Sequence, residues 1–113
     1  MIDGSRLVEL AVTLSALPGL PGQEEAVSEF VEQYLGSRGL RVDKDRAGRA
    51  LGGETGNLHV RLPGRAELPR LLFSAHLDVA KPPACPQLQQ GVLRVPGGYF
   101  AADDRIGLAL LLA

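Results

Sequence analysis

The chain has 113 residues, which is enough for one small domain. Hydrophobic residues make up 45% of the sequence and charged residues 22%, a balance typical of globular proteins rather than disordered ones. Twelve Lys and Arg against thirteen Asp and Glu leave a formal net charge of -1. This near-neutrality argues against a nucleic-acid partner and against an acidic membrane surface.

The single cysteine, Cys85, excludes an internal disulfide and a four-cysteine zinc site. No stretch approaches the roughly 20 apolar residues that cross a bilayer. The N-terminal MIDGSRLVEL lacks the charged-then-apolar pattern of an export signal. We therefore expect a cytoplasmic location and a reducing compartment.

Helical periodicity predicts two helices in the first third of the chain. Apolar residues recur at helical spacing from Asp3 to about Leu17, with Asp3 or Ser5 as the N-cap and Pro18-Gly19 as the end. A second amphipathic helix is predicted from about Gln23 to Ser37.

The remainder of the chain predicts short strands, polar loops and a final apolar helix. The Asp45–Gly56 segment is polar and rich in glycine, and the Ala80–Pro86 segment is rich in proline, so both are expected to be loops. The continuous apolar run Arg70–Ala75 is typical of a strand covered on both faces. The order of elements indicates an α/β layered domain. The predicted strands are Leu40–Asp43, Asn57–Leu62, Arg70–Ala75 and Val92–Val95.

The last eight residues, Ile106–Ala113, are all apolar or glycine. A helix that ends a domain normally has a C-cap and a polar last turn, and this segment has neither. We therefore expect the sequence to be the front part of a longer domain.

The first candidate for chemistry is the His76-Leu77-Asp78 segment, directly after the apolar run. In an extended segment the side chains of His76 and Asp78 lie on the same face, since the period is two. One imidazole nitrogen can then bind a metal while the carboxylate orients the ring through the other. The simpler alternative is a structural His–Asp pair.

The second candidate is Asp103-Asp104-Arg105, at the start of the final apolar segment. Adjacent carboxylates at a helix start commonly serve as a cap and as a partner of the helix dipole. The alternative is that Asp103 bridges two metal ions, with Asp104 and Arg105 fixing the geometry around it.

A more specific resemblance is carried by four segments, PGLPGQEEAVSEFVEQYLGSRGLRV, TGNLHVRLPG, LLFSAHLDVA and AADDRIGLALLL. The sequence is similar to the start of the co-catalytic di-zinc aminopeptidase and carboxypeptidase clan, and most similar to its peptidase T-like (tripeptidase) group. The resemblance implies that residues 1–113 are the N-terminal portion of one α/β/α catalytic domain, three-layered and with a mixed sheet. Arg105 stands where the peptidase T-like pattern usually has Lys.

The resemblance also assigns roles to single residues. It makes His76 a ligand of one zinc ion and Asp103 the carboxylate that bridges two zinc ions, with other divalent metals as the alternative. It gives Asp78 a catalytic role as the residue that holds the His76 ring. It further implies a cis peptide bond after Asp103.

The implied activity is hydrolysis of short peptides by a zinc-activated water, as in an aminopeptidase or tripeptidase. The general base and the remaining ligands are expected beyond Ala113, so the 113-residue chain is expected to be inactive by itself. A deacylase or carboxypeptidase of the same clan is the enzymatic alternative. The non-enzymatic alternative is a truncated remnant that forms homo-oligomers through Ile106–Ala113. His59 is interpreted as solvent-facing, and Asp43–Arg46 as solvated surface.

Overall fold

The computed structural model describes all 113 residues. It contains four α-helices and four short strands. None of the helices has the length and the apolar character that a membrane span requires. In chain order the elements are α1 (Gly4–Ala16), α2 (Glu25–Gly36), β1 (Val42–Lys44), α3 (Ala47–Ala50), β2 (Leu58–Val60), β3 (Gln87–Gln89), β4 (Val92–Arg94) and α4 (Ala102–Leu112).

The first two helices lie where the sequence predicts them. Asp3 is the N-cap of α1, and its Oδ1 accepts hydrogen bonds from the backbone N–H groups of Ser5 and Arg6 at 3.0 and 3.3 Å. Such a cap satisfies amide groups that have no partner inside the helix. Helix α2 is joined to β1 by Lys44, whose ammonium group pairs with Glu32.

The core lies between α1, α2 and α4. Helix α1 packs along α4, so the apolar C-terminal segment is partly buried within the chain. Leu110 and Leu111 of that segment nevertheless remain about half exposed. The buried core residues are Leu10, Ala11, Leu14, Val27, Val31, Leu108 and Ala109.

The strands form two separate antiparallel pairs. Strand β1 pairs with β2, with Val42 opposite Val60, and β3 pairs with β4 as a hairpin. The α/β class is therefore confirmed, whereas the strands of this chain form no mixed sheet. The segment between β1 and β2 is a loop as predicted, except that it contains the single turn of α3.

The prediction of a buried strand at Arg70–Ala75 is wrong for this chain. The segment is assigned to no strand, and Leu71, Leu72 and Phe73 are all exposed. A strand needs a neighbour for its N–H and C=O groups, and each of the four strands pairs with another of the four. An apolar run indicates that burial would be favourable but does not supply the partner.

Candidate metal centre

The segment that carries His76 and Asp78 is anchored by its alternate residues. Val79 is buried, and its backbone N–H donates to the carbonyl of Gly19 at 2.8 Å. Leu77 is half-buried and packs against the core. Because side chains alternate along an extended segment, those of His76 and Asp78 lie on the more open face.

Asp103 lies at the first turn of α4, where the backbone departs from helical geometry. Asp103 has φ -93° and ψ 110°, and the regular helix begins only after Asp104. The peptide bond between Asp103 and Asp104 is cis, as the resemblance implies. The Asp103 side chain is 90% exposed, so its carboxylate is accessible from solvent.

The structure brings all three predicted site residues together at the His76 ring. Nε2 of His76 lies 3.1 Å from Oδ1 of Asp103. Nδ1 lies 3.0 Å from both the backbone oxygen and Oδ1 of Asp78. Oxygens of a carbonyl and a carboxylate only accept, so the proton on Nδ1 donates to Asp78. The carboxylate of Asp103 also only accepts, so in the protonated ring Nε2–H donates to Asp103, and the Nε2 lone pair becomes available to a metal ion once that proton is lost.

The electrostatics of this cluster favour a positive charge on the His76 ring. Partial burial acts to lower the pKa of His76, but the hydrogen bonds to Asp103 and Asp78 and their charges outweigh it. The net effect is a pKa raised above the ordinary value of 6.5.

The donor set fits a zinc ion in chemistry and in spacing. Zinc binds imidazole nitrogen and carboxylate oxygen at about 2.0–2.2 Å, which places two tetrahedral ligands roughly 3.3–3.6 Å apart. The observed separation of 3.1 Å between Nε2 and Oδ1 is within a few tenths of an ångström of that range. The chain contains no group of three or more His, Cys, Asp or Glu side chains that could hold a metal ion, so at this cluster only His76 and Asp103 are placed where two ligands could converge.

A second His–Asp pair, His59 with Asp45, provides an internal comparison. Its Nε2 and Oδ2 atoms are 3.2 Å apart, which is nearly the same separation. It lies beside a shallow polar groove along the β1–β2 pair and far along the chain from Asp103. Unlike the ring of His76, the ring of His59 is bonded through Nε2 alone. The groove is lined by Arg41, Asp43, Lys44, Asp45, His59 and Arg61.

The oxygens of Asp45 are already occupied by donors of the chain. Oδ1 accepts from the backbone N–H groups of Ala47 and Asn57, and Oδ2 accepts from the Asn57 side chain as well as His59. The bonds to Ala47, Asn57 and His59 hold the pKa of Asp45 far below its ordinary value of 3.8. Asp45 lies at the surface, as predicted, and in addition its carboxylate holds the loop together through these hydrogen bonds. His59 is exposed, as predicted.

Arg105 lies two residues after Asp103, and its burial is not evident from the sequence. The residue is 0% exposed. Its Nε donates to the carbonyl of Leu77 at 3.0 Å, and its Nη1 donates to the carbonyl of Leu14 at 2.6 Å. Burial lowers the pKa of Arg105, while the charge of Asp78 acts in the opposite direction. A guanidinium stays protonated in proteins, so Arg105 is a buried cation beside the site.

The fold matches the catalytic domains of solved peptidases. A tripeptidase of Staphylococcus aureus superposes with a TM-score of 0.87 at 25% identity, over 99% of this chain and 31% of that one. The aminopeptidase PepT of Bacillus cereus superposes with a TM-score of 0.88 at 23% identity, over 98% of this chain and 31% of that one. The chain therefore has the fold of part of a peptidase catalytic domain.

One curated relative also aligns with the chain in sequence. It is a protein of Talaromyces marneffei named "Probable carboxypeptidase", which is 33% identical over 85 residues, 73% of this chain and 19% of the relative. No protein-family model matches the chain. The chain thus spans about a fifth of the length of this relative and about a third of the two solved structures.

Proposed function

We propose that the chain is the N-terminal portion of a metal-dependent peptidase catalytic domain and that it carries part of the metal site. The observation that carries the proposal is the convergence of His76 Nε2 and Asp103 Oδ1, with Nδ1 of the ring held by Asp78. This convergence occurs within a peptidase fold.

In the proposed site, His76 would hold one zinc ion through Nε2, and the Asp103 carboxylate would be a ligand shared between that ion and a second one. Asp78 accepts a hydrogen bond from Nδ1–H, which would fix the tautomer and leave Nε2 available to the metal ion. Bound zinc would supply a Lewis acid for the peptide carbonyl and would lower the pKa of a bound water. Other divalent metals are compatible with the same nitrogen and oxygen ligands.

The proposed substrates are short peptides. The solved neighbours are a tripeptidase and an aminopeptidase, and the Asp103 carboxylate is open to solvent. The named carboxypeptidase among the relatives favours a second candidate, cleavage from the C-terminal end. The proposed compartment is the cytoplasm, where a lone cysteine remains reduced.

Zinc titration calorimetry on the purified chain tests the metal site. We expect binding that is lost in His76→Ala and in Asp103→Ala. The matched control is His59→Ala, which removes the ring of the other His–Asp pair and is expected to leave zinc binding unchanged. Binding that survives both site variants but is lost in His59→Ala would overturn the proposed site.

A peptidase assay tests how much of the active site lies within residues 1–113. We expect no turnover of a tripeptide by this chain at any zinc concentration, because the site supplies two ligands and no general base. Turnover that disappears in Asp103→Ala would contradict this expectation. If turnover is found, peptides blocked at the N-terminal or the C-terminal end would identify the end from which residues are cleaved.

A further inference from the structure

We propose that Arg105 is a positioning residue that sets the separation of His76 and Asp103. It does so by clamping the backbone beside His76 to the helix that carries Asp103. The inference rests on the proposed function for its metal readout, but the clamp itself is a property of the metal-free chain.

The clamp is formed by one side chain that joins three parts of the molecule. Arg105 lies on α4, two residues after Asp103. Its Nε–H donates to the carbonyl of Leu77, the residue between His76 and Asp78. Its Nη1–H donates to the carbonyl of Leu14, in the last turn of α1. Because α1 packs along α4, the guanidinium holds the His76 segment against a rigid pair of helices.

Gly19 makes room for the third nitrogen of the guanidinium. A Cβ at residue 19 would lie 2.7 Å from Nη2 of Arg105, which is too close for an unstrained contact. Nη2 is buried and has no hydrogen-bond partner in the chain. The carbonyl of Gly19 meanwhile accepts from Val79. The segment that carries His76 and Asp78 is thus attached at Leu77 and at Val79, to either side of Asp78.

The chemistry of arginine suits this position. A guanidinium has several N–H groups in a rigid plane and can donate to two carbonyls on different elements at once. A single ammonium group is a point charge on a flexible stem and fixes such a geometry less tightly. An apolar residue of similar length would leave the carbonyls of Leu77 and Leu14 without these partners. The distance between Nε2 of His76 and Oδ1 of Asp103 would then no longer be fixed.

The test uses Arg105→Met and Arg105→Lys in the full chain, with zinc affinity measured on folded protein as judged by circular dichroism. We expect Arg105→Met to lose at least tenfold in zinc affinity and Arg105→Lys to recover part of that loss. Val31→Ala is the control, because it removes core packing in α2 without touching the clamp. Equal zinc affinity in folded Arg105→Met and the wild type would overturn the proposal.

A metal-free readout separates the clamp from the proposed function. We expect a nuclear Overhauser effect between the ring protons of His76 and the β protons of Asp103 in the metal-free wild type. It should disappear in Arg105→Met and remain in Val31→Ala. If zinc binding does not depend on His76 and Asp103 while this pattern is found, the proposed function fails and the clamp stands. Persistence of the effect in folded Arg105→Met would overturn the clamp.

Gly19→Ala keeps the proposal testable if Arg105→Met does not fold. The added methyl group pushes against Nη2 while the charge of Arg105 is retained. Its control is Gly36→Ala, since a Cβ at Gly36 meets nothing within 4 Å. We expect weaker zinc binding and a weaker His76–Asp103 Overhauser effect in Gly19→Ala alone. Identical results for the two variants would refute the clamp.

Discussion

Removal of the Asp78 carboxylate should weaken zinc binding without abolishing it. In the proposed site, Asp78 does not contact the ion but accepts a hydrogen bond from Nδ1–H of His76. Asp78→Ala removes the acceptor Oδ1 at 3.0 Å, whereas the backbone oxygen of residue 78, also at 3.0 Å from Nδ1, remains. The substitution therefore loosens the ring but leaves one partner that favours the same tautomer.

The expected size of the effect follows from these two contacts. Loss of a partner that orients a ligating histidine typically costs 10–100-fold in metal affinity. Because the backbone acceptor survives, we expect Asp78→Ala to lose zinc affinity at the lower end of this range, about tenfold or about 1.4 kcal/mol. Asp78→Asn keeps a neutral oxygen acceptor, and charge-assisted hydrogen bonds are roughly twice as strong as neutral ones. Its loss should therefore be smaller than that of Asp78→Ala.

Isothermal titration calorimetry with zinc at neutral pH measures the effect directly. The matched control is Asp43→Ala, which removes an exposed carboxylate of β1 that pairs with Arg41. We expect it to leave the zinc affinity unchanged. Unchanged affinity in Asp78→Ala would refute the orienting role. A loss as complete as that of His76→Ala in folded protein would instead make Asp78 a direct ligand.

Three further substitutions, the first with a matched control, test the fold of the chain. Leu14→Ala should lower the free energy of unfolding, measured by chemical denaturation, by about 2–5 kcal/mol because Leu14 is fully buried. Its control is Leu51→Ala, at a residue that is 89% exposed, which should change the free energy of unfolding by less than about 0.5 kcal/mol. Because the pKa of Asp45 is depressed in the folded chain, its carboxylate stabilises the fold above its ordinary pKa, and this stability is lost as the pH falls through the folded-state pKa. Asp45→Asn should therefore lose less stability in acid than the wild type does. Parallel curves of stability against pH for the two proteins would contradict this. Gly48→Ala places a methyl group against the Thr55 backbone carbonyl and should lower the melting temperature, and an unchanged one would contradict the packing.

Local patterns in the sequence were sufficient to predict α1, α2 and the apolar helix α4, but not the single turn of α3. The spacing of apolar residues and the capping carboxylate of Asp3 are properties of neighbouring residues, and α1 begins where they indicate. The strand prediction at Arg70–Ala75 failed because pairing depends on a partner segment, which local hydrophobicity does not specify.

The same distinction between local patterns and long-range contacts applies to the candidate site. The proximity of His76 and Asp103, which are 27 positions apart, follows from the resemblance and not from periodicity. The burial of Arg105 could not be predicted, because its partners are backbone carbonyls in distant segments. Every residue has a backbone carbonyl, so the sequence does not show which of them accepts a hydrogen bond from a distant side chain. The role of Asp45 escaped notice for the same reason, since two of its donors are backbone amides.

The central claim is that His76 and Asp103 bind the same metal ion. A crystal structure of the chain soaked with zinc, with anomalous data collected at the zinc edge, tests it most directly. We expect an anomalous peak about 2.0–2.2 Å from both Nε2 of His76 and Oδ1 of Asp103. A well-occupied peak between His59 and Asp45, with none at His76, would contradict it.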